Sequence, residues 1–222
     1  MGLAGRLLGG WDADPLWGTA YDWIVEHPVV GGALWRAGTG SDLRLLHEAA
    51  DEIGRLPAGS GVLDVPCGGG VALRGLRPGQ GVAYVAADLS PRMLDRTREA
   101  ADARGVGDQV TTVECDVAAL PFDEASYDLV VSFTGLHCFP DPRAAVLEMG
   151  RVLRPGGVLS GSAVLDGTGW RHEPLRRVGR AANLIGPSGS AGDVRRWLAE
   201  AGLEQVSVRV TGALGWFRGV RA

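Results

Sequence analysis

The chain contains no lysine, so all 22 of its basic residues are arginine. A chain without lysine has no Walker-type phosphate loop, no Schiff-base lysine and no lysine that acts as a general base. The sequence therefore excludes several common routes to phosphate binding and covalent catalysis before any motif is considered.

Cysteines and long apolar runs are also scarce. Cys67, Cys115 and Cys138 lack metal-ligand spacing, and unpaired thiols of this kind are typical of a reducing compartment. No segment has the roughly 20 apolar residues of a transmembrane helix, and the start of the chain is too broken for a signal-peptide core. These absences predict a cytoplasmic protein that does not bind a membrane.

An excess of positive charge is absent as well. The 26 acidic residues outnumber the 22 basic ones, which gives a net charge of −4 and an isoelectric point of about 5.6. Without a basic stripe, the chain lacks the electrostatic signature of a nucleic-acid-binding protein. Its 222 residues, 45% of them hydrophobic, are sufficient for one α/β domain with a full core. We therefore predict a small-molecule partner and no nucleic acid.

The hydrophobic pattern predicts a doubly wound α/β fold. Short apolar runs alternate with helical patterns, which is the order expected of a mostly parallel sheet. Predicted helices begin at Ser41, Ser90, Asp141 and Ser190, the last with a capping box to Asp193. The predicted strands are 62–65, 82–87, 110–113, 129–132, 158–165, 206–210 and 216–220. The last two strands are expected to form an antiparallel hairpin.

Residues 1–57 differ from the rest of the chain, because four of the seven tryptophans lie there. We predict that they form a helical cap or lid on an α/β domain of residues 58–222, the whole being one compact domain. Residues 11–40 of this cap and a less regular segment, residues 166–189, are expected to form the acceptor pocket and its lid, with Trp17 and Trp170 among the pocket members. The tryptophans could instead only pack the helices against the sheet.

The most informative motif is a glycine turn that follows the first predicted strand. An apolar run ends at Asp64 and opens into Gly68, Gly69 and Gly70. Parallel strands present ligands with their carboxyl ends, and glycines allow the backbone to approach the ligand closely. Because a carboxylate stands beside this turn, the motif favours a ligand with cationic or hydroxyl groups over a bare phosphate.

Two further acidic residues follow the next two predicted strands. Asp88 is located where a carboxylate can accept hydrogen bonds from both hydroxyls of a ribose. Asp116 and Val117 could offer an acceptor and an apolar wall to an adenine ring. Each acid alone could simply cap a helix, but three of them in register with the glycine turn indicate a nucleoside-bearing ligand.

These motifs resemble those of a known family. The segment Asp64–Gly70 is similar to the Asp-x-x-Cys-Gly-x-Gly first motif of class I S-adenosylmethionine-dependent methyltransferases. Ala87–Ser90 resembles the second motif, Cys115–Val117 the third, and Tyr127–Asp141 the fourth, while Arg151–Gly157 matches the segment before the fifth strand. The nearest subgroup is that of small-molecule methyltransferases from quinone and natural-product pathways.

The resemblance implies a Rossmann-like sheet of seven strands and S-adenosylmethionine as cofactor, with S-adenosylhomocysteine as product. Asp64 and Gly68 would face the methionine part, Asp88 the ribose and Ser132 the sulfonium, while Tyr21 would close over the cofactor. The predicted cofactor-binding residues are Tyr21, Asp64, Pro66, Cys67, Gly68, Gly70, Asp88, Leu89, Met93, Asp116, Val117, Ser132 and Phe133.

The implied reaction is an in-line displacement, which needs a close nucleophile and a site without water. If the acceptor is a hydroxyl, a base must take its proton, and His137 is predicted for this role because histidine titrates near neutral pH. Asp166 could orient His137 or act itself. Both residues could instead be structural. We predict methyl transfer to a small-molecule acceptor, with oxygen as the methylated atom and a role in biosynthesis.

The sequence is also compatible with other functions. The acceptor atom could be carbon or nitrogen of a quinone-like or natural-product compound, or the protein could bind the cofactor and catalyse a rearrangement without methylation. A nucleotide-dependent oxidoreductase is disfavoured, since the third glycine of a dinucleotide fingerprint is replaced by Leu73. The sequence does not distinguish a monomer from a homodimer.

Overall fold

A computed structural model describes residues 15–222, without the side chains of residues 15–19. Within this range the chain forms a seven-stranded sheet with the order β3-β2-β1-β4-β5-β7-β6, which confirms the predicted fold. The strands are β1 Gly61–Asp64, β2 Ala83–Asp88, β3 Val110–Glu114, β4 Tyr127–Ser132, β5 Leu153–Val164, β6 Leu203–Thr211 and β7 Leu214–Arg221. The helices are α1 Pro15–Glu26, α2 Val30–Thr39, α3 Arg44–Ala50, α4 Pro91–Ala103, α5 Pro142–Arg151, α6 Glu173–Ala181 and α7 Ala191–Glu200.

The sheet has a hydrophobic core on each face. Successive side chains of a strand point to opposite faces, and accordingly Val62 and Leu63 of β1 belong to different cores. The first core includes Trp35 of α2 and Leu94 of α4, and the second includes Met149 of α5. Because helices cover both faces, the central strands are apolar on both sides and β1 is completely buried.

The strand pairing confirms the predicted reversed hairpin. Strands β1 to β5 pair in parallel, whereas β7 is antiparallel to both β5 and β6. The carboxyl ends of β1, β2, β3 and β4 therefore lie at one edge of the sheet, where the order of strands reverses and ligands usually bind.

Of the predicted helix starts Ser90, Asp141 and Ser190, two have the expected side-chain cap. Asp141 accepts a backbone N–H of the first turn of α5 at 2.9 Å, and Ser190 and Asp193 form the capping box of α7. The Ser90 side chain makes no capping bond. Its backbone N–H donates to Oδ1 of Asp88 at 2.9 Å, so the strand-end carboxylate orients the residue that precedes α4.

The segment 166–189 is more regular than predicted, because it contains α6. The guanidinium of Arg176, which is only 4% exposed, donates to Thr168 Oγ1 at 2.7 Å and to the Leu165 carbonyl at 3.3 Å. It also pairs with Glu173. A buried arginine with several partners helps to order this segment.

The N-terminal region is helical, as predicted, with α1, α2 and α3. Its division from the α/β domain at residue 57 stays a prediction, and residues 1–14, with Trp11, lie outside the described part of the chain. Among the helices of residues 15–222, none combines the length and the hydropathy needed to cross a bilayer.

Candidate functional site

A cavity of about 370 Å³ lies at the carboxyl ends of β1, β2, β3 and β4. This volume is within the range of about 300–1,000 Å³ that is typical of small-molecule sites. The predicted cofactor-binding residues that line it are Tyr21, Asp64, Pro66, Cys67, Gly68, Asp88, Leu89, Met93, Asp116, Val117 and Phe133. Their roles in binding stay predictions, but the fold brings them together around one space.

Asp88 connects the end of β2 to the glycine turn. Its Oδ2 accepts the N–H of Gly68 at 3.0 Å, and its Oδ1 accepts the N–H of Ser90 at 2.9 Å. An ionised carboxylate has about four acceptor positions, so these two bonds are compatible with further bonds from ligand hydroxyls. The carboxylate is thereby oriented by two backbone donors before any ligand arrives.

Asp64 is a buried acid at the end of β1. It is 2% exposed, and the Tyr84 hydroxyl donates to its Oδ2 at 2.7 Å. Burial raises the pKa of this carboxyl to about 7, and the neighbouring Asp88 acts in the same direction while the Tyr84 bond opposes it. A cationic ligand group beside Asp64 would compensate for the lost hydration of the ionised form.

The glycine turn is shaped by close contacts with helices. Gly68 and Gly70 have φ of +51° and +83°, the left-handed region that favours glycine. An added Cβ at Gly69 would lie 2.1 Å from a carboxylate oxygen of Asp22 in α1. Gly70 does not line the cavity, and a Cβ there would lie 2.9 Å from the Leu73 side chain. Gly70 therefore shapes the turn and its packing.

Helix α1 contacts the cavity with two consecutive residues. The Tyr21 hydroxyl lies 2.7 Å from Thr134 Oγ1, beyond β4. The Asp22 carboxylate pairs with Arg96 of α4 at 2.5 Å. Burial raises the pKa of Asp22 to about 6, although Arg96 opposes the shift. The sequence analysis did not select Asp22, Arg96 or Thr134. For Asp22, its position directly after Tyr21 was a signal that could have identified it.

The wall beside β2 and β3 is mostly apolar. Leu89, Met93 and Val117 line the cavity there, together with Asp116. Asp116 Oδ1 accepts the N–H of Ala118 at 2.9 Å, so this residue is both a cap of a short helical turn and part of the cavity wall. An acid beside apolar side chains is compatible with a heteroaromatic ring that carries an amino group.

The loop after β4 and the segment 166–189 form the opposite wall. Its lining residues are Phe133, Thr134, Cys138, Phe139, Pro140 and Asn183. The N–H of Gly186 donates to the His137 carbonyl at 2.7 Å, which holds the segment against the loop. This wall combines two phenylalanines and a proline with three polar side chains, and none of its lining residues is acidic.

The two tryptophans that were predicted for the pocket have different outcomes. Trp170 does not line the cavity, is 81% exposed and stacks with the Arg171 guanidinium, whose carbon lies 5.7 Å from the ring centroid. That prediction is wrong, because the start of the segment 166–189 turns outward. The side chain of Trp17 lies outside the described residues.

The predicted catalytic residues do not line the cavity. His137 is 5% exposed, its Nδ1 accepts the N–H of Val164 at 3.2 Å, and burial lowers its pKa to about 4. Asp166 pairs with Arg180 at 2.6 Å and makes no described contact with His137. The general-base role of His137 stays a prediction, and this geometry gives it no support.

Ser132 also lies behind the cavity wall rather than in it. The side chain is completely buried, and its Oγ has no hydrogen-bond partner among the described residues. Its predicted place beside the sulfonium stays a prediction. In residues 15–222, no group of three or more His, Cys, Asp or Glu side chains could hold a metal ion.

The side chains around the cavity fit S-adenosylmethionine. A buried carboxyl with a raised pKa, Asp64, complements a cationic amino group. Asp88, which is held by two backbone donors, complements a pair of ribose hydroxyls, and the Leu89 and Val117 side chains complement a flat ring. The cofactor supplies an electrophilic methyl group when bound.

Comparisons with known proteins agree with this assignment. A family model described as a methyltransferase domain matches residues 63–160. The 27-O-demethylrifamycin SV methyltransferase of Amycolatopsis mediterranei (strain S699) is 32% identical over 161 residues, which cover 69% of this chain and 58% of that protein. The demethylmenaquinone methyltransferase of Thermus thermophilus is 38% identical over 121 residues, which cover 54% of each protein.

A solved structure shows the same fold. Phosphoethanolamine N-methyltransferase 2 of Haemonchus contortus, in complex with S-adenosyl-L-methionine, aligns with a TM-score of 0.71 over 92% of this chain and 56% of that one, at 17% identity. The chain spans about half the length of the curated relatives it matches. The ordered motifs, the strand order and these relatives agree: the chain belongs to the class I S-adenosylmethionine-dependent methyltransferase superfamily.

Proposed function

We propose that this protein transfers a methyl group from S-adenosylmethionine to an oxygen atom of a small, largely apolar acceptor in a biosynthetic pathway. The observation that carries this proposal is the unequal chemistry of the two cavity walls. Asp64, Asp88 and Asp116 follow β1, β2 and β3, whereas the wall beyond β4 has no acidic lining residue and contributes two phenylalanines and a proline. The first wall suits the cofactor, which leaves the second for the acceptor.

The relatives support an apolar organic acceptor. One is named for an O-demethylated natural product and another for a demethylated quinone. Phe133, Phe139 and Pro140 would exclude water from such a compound, and a site without water favours displacement at a sulfonium. We extend the acceptor class of these relatives to this chain on the basis of these three apolar side chains.

Positioning is the main contribution that we assign to the protein. The aromatic wall would hold the acceptor in line with the methyl group, and such alignment can supply about 7–11 kcal/mol of the barrier. The acceptor oxygen would form its bond to the methyl carbon as the sulfur–carbon bond of the sulfonium breaks, S-adenosylhomocysteine would leave, and the acceptor proton would pass to bulk water. A direct proton transfer to His137 would first require the loop after β4 to rearrange, because the Val164 N–H occupies Nδ1.

The experiment measures both product and cofactor. The protein is incubated with S-adenosylmethionine and a panel of phenols, amines and hydroquinones, and methylated products are identified by mass spectrometry. A methyl ether is the expected product. Methylation only at carbon or nitrogen would replace oxygen as the acceptor atom, and cofactor binding without release of S-adenosylhomocysteine would favour a reaction other than methylation.

Asp88→Ala tests the cofactor part of the proposal. Loss of a charged hydrogen-bond acceptor should weaken S-adenosylhomocysteine binding about 10- to 150-fold, measured by calorimetry. Asp108→Ala, the same change at an exposed side chain of the short turn after α4, is the matched control. Equal affinity of the Asp88 variant and the control would refute the ribose assignment.

A further inference from the structure

The turn after β4 has a strained backbone. Thr134 has a φ of +50°, and it is the β-branched residue among the four described non-glycine residues with positive φ. A β-branched side chain in the left-handed region is a genuine outlier, because its Cβ substituents crowd the backbone. Such strain persists only where surrounding contacts enforce it, and it concentrates at functional sites.

Three hydrogen bonds enforce the conformation of Thr134. Its N–H donates to Oγ of the buried Ser162 in β5 at 3.0 Å, and its hydroxyl donates to the Phe133 carbonyl at 2.7 Å. The Tyr21 hydroxyl lies 2.7 Å from the same Thr134 oxygen. The single hydroxyl proton of Thr134 serves one of these two contacts: when it is directed to the Phe133 carbonyl, the Tyr21 phenol is the donor to Thr134.

This contact joins α1 to the turn after β4, and both Tyr21 and Thr134 line the cavity. Burial raises the pKa of the Tyr21 phenol far above its ordinary value, so the phenol keeps its proton at neutral pH. With that proton directed to Thr134, the phenol oxygen acts as an acceptor toward any other partner. Thr134 therefore determines both the position and the polarity of the Tyr21 hydroxyl.

We propose that Thr134 is a positioning residue, whose strained backbone holds the Tyr21 phenol in place as a hydrogen-bond acceptor for the bound cofactor. An ordinary negative φ at this position would redirect the Thr134 side chain and break its bond to Tyr21. The proposal rests on the proposed function only in naming the S-adenosyl compound as the ligand, and it requires no knowledge of the acceptor.

The test is a double-mutant cycle read by S-adenosylhomocysteine binding. Thr134→Val removes the hydroxyl and keeps the β-branch, and Tyr21→Phe removes the phenol oxygen. Each should weaken binding about two- to tenfold, the loss expected for a neutral hydrogen bond. The double variant should bind no more weakly than the weaker single variant, because Thr134 acts through Tyr21.

Matched controls make the same chemical changes elsewhere. Thr111→Val alters an exposed residue of β3, and Tyr127→Phe alters a residue that packs edge-to-face on Phe122 outside the cavity. Both should bind S-adenosylhomocysteine with wild-type affinity. Thr134→Ser should retain that affinity as well, because serine keeps the hydroxyl. Thr134→Ala, which lacks the hydroxyl, replaces the valine variant if that variant does not fold.

Several results would overturn the inference. These are additive losses in the double variant, an unchanged affinity after either single substitution, or a serine variant that folds but binds as weakly as Thr134→Ala. Each of them leaves the proposed function intact, because the wild-type protein still binds the ligand. Failure of the wild-type protein to bind S-adenosylhomocysteine would contradict the proposed function itself.

Discussion

Replacing Asp64 with asparagine should change how the stability of the ligand-free protein depends on pH. The carboxyl is 2% exposed and has one described hydrogen-bond donor, the Tyr84 hydroxyl. Burial, with a contribution from Asp88, raises its pKa from 3.8 to about 7. The ionised form is therefore poorly accommodated in the folded protein, whereas asparagine occupies almost the same volume without a charge.

The sign and size of the effect follow from proton linkage. Between about pH 4 and pH 7 the carboxyl is protonated in the folded protein and ionised in the unfolded chain, so the folded state binds more protons. The free energy of unfolding consequently decreases as the pH rises through this window. A pKa difference of about 3 units, at about 1.36 kcal/mol per unit, gives a loss of about 4 kcal/mol above pH 7 and none below pH 4.

Urea unfolding of the wild-type protein and Asp64→Asn from about pH 4 to about pH 8.5 measures this loss. Across that range, the free energy of unfolding of the variant should rise by about 4 kcal/mol relative to that of the wild type. Asp108→Asn, the same change at an exposed side chain, controls for the substitution itself. A difference that does not change with pH would refute the argument that Asp64 is buried without sufficient compensation.

Ligand binding provides a second measurement on the same residue. A cationic group placed beside Asp64 would lower its pKa, so S-adenosylhomocysteine should bind the wild-type protein more tightly as the pH rises toward about 7. Asp64→Asn should bind more weakly and without this dependence. A variant that binds as tightly as the wild type would contradict the placement of the ligand amino group.

Three further predictions follow from the contacts around the cavity. Arg96→Gln should speed S-adenosylhomocysteine release about tenfold in stopped-flow measurements, because it breaks the ion pair with Asp22 over the glycine turn. An unchanged release rate would argue against a role of this ion pair in closing the site over the ligand. His137→Leu should lower the free energy of unfolding by about 1–3 kcal/mol, since the Val164 N–H loses its acceptor, and should leave S-adenosylhomocysteine affinity unchanged. A loss of turnover of at least about 100-fold with unchanged stability would instead support a general base. Hydrogen exchange in α1 and residues 166–189 should slow when the ligand is added, and equal exchange would contradict a lid.

Short-range rules predicted most helix starts and strand positions, because the relevant contacts lie within a few residues. Asp141 and Ser190 cap their helices as their sequences indicate. Ser90 failed as a side-chain cap: its side chain makes no capping bond, and the N–H of Met93 donates to the Ser90 backbone carbonyl at 3.0 Å. The burial of Arg176 in segment 166–189 is a tertiary effect that the sequence analysis did not predict.

The sequence by itself determined the fold and one wall of the site. Parallel strands must end at the same edge of a sheet, so the spacing of Asp64, Asp88 and Asp116 behind successive apolar runs was sufficient to predict that they meet. The glycine turn was equally readable, because only glycine tolerates positive φ beside a close backbone approach.

Only the tertiary structure decided which side chains after β4 reach the cavity. Thr134 and His137 are three positions apart, and the sequence favoured the histidine for its chemistry. The turn at Thr134, with its positive φ, directs the threonine to Tyr21 and buries His137 against Val164. Asp166 likewise forms an ion pair with Arg180. Such choices depend on partners distant in the chain, and local sequence patterns carry no information about which partner will pack there.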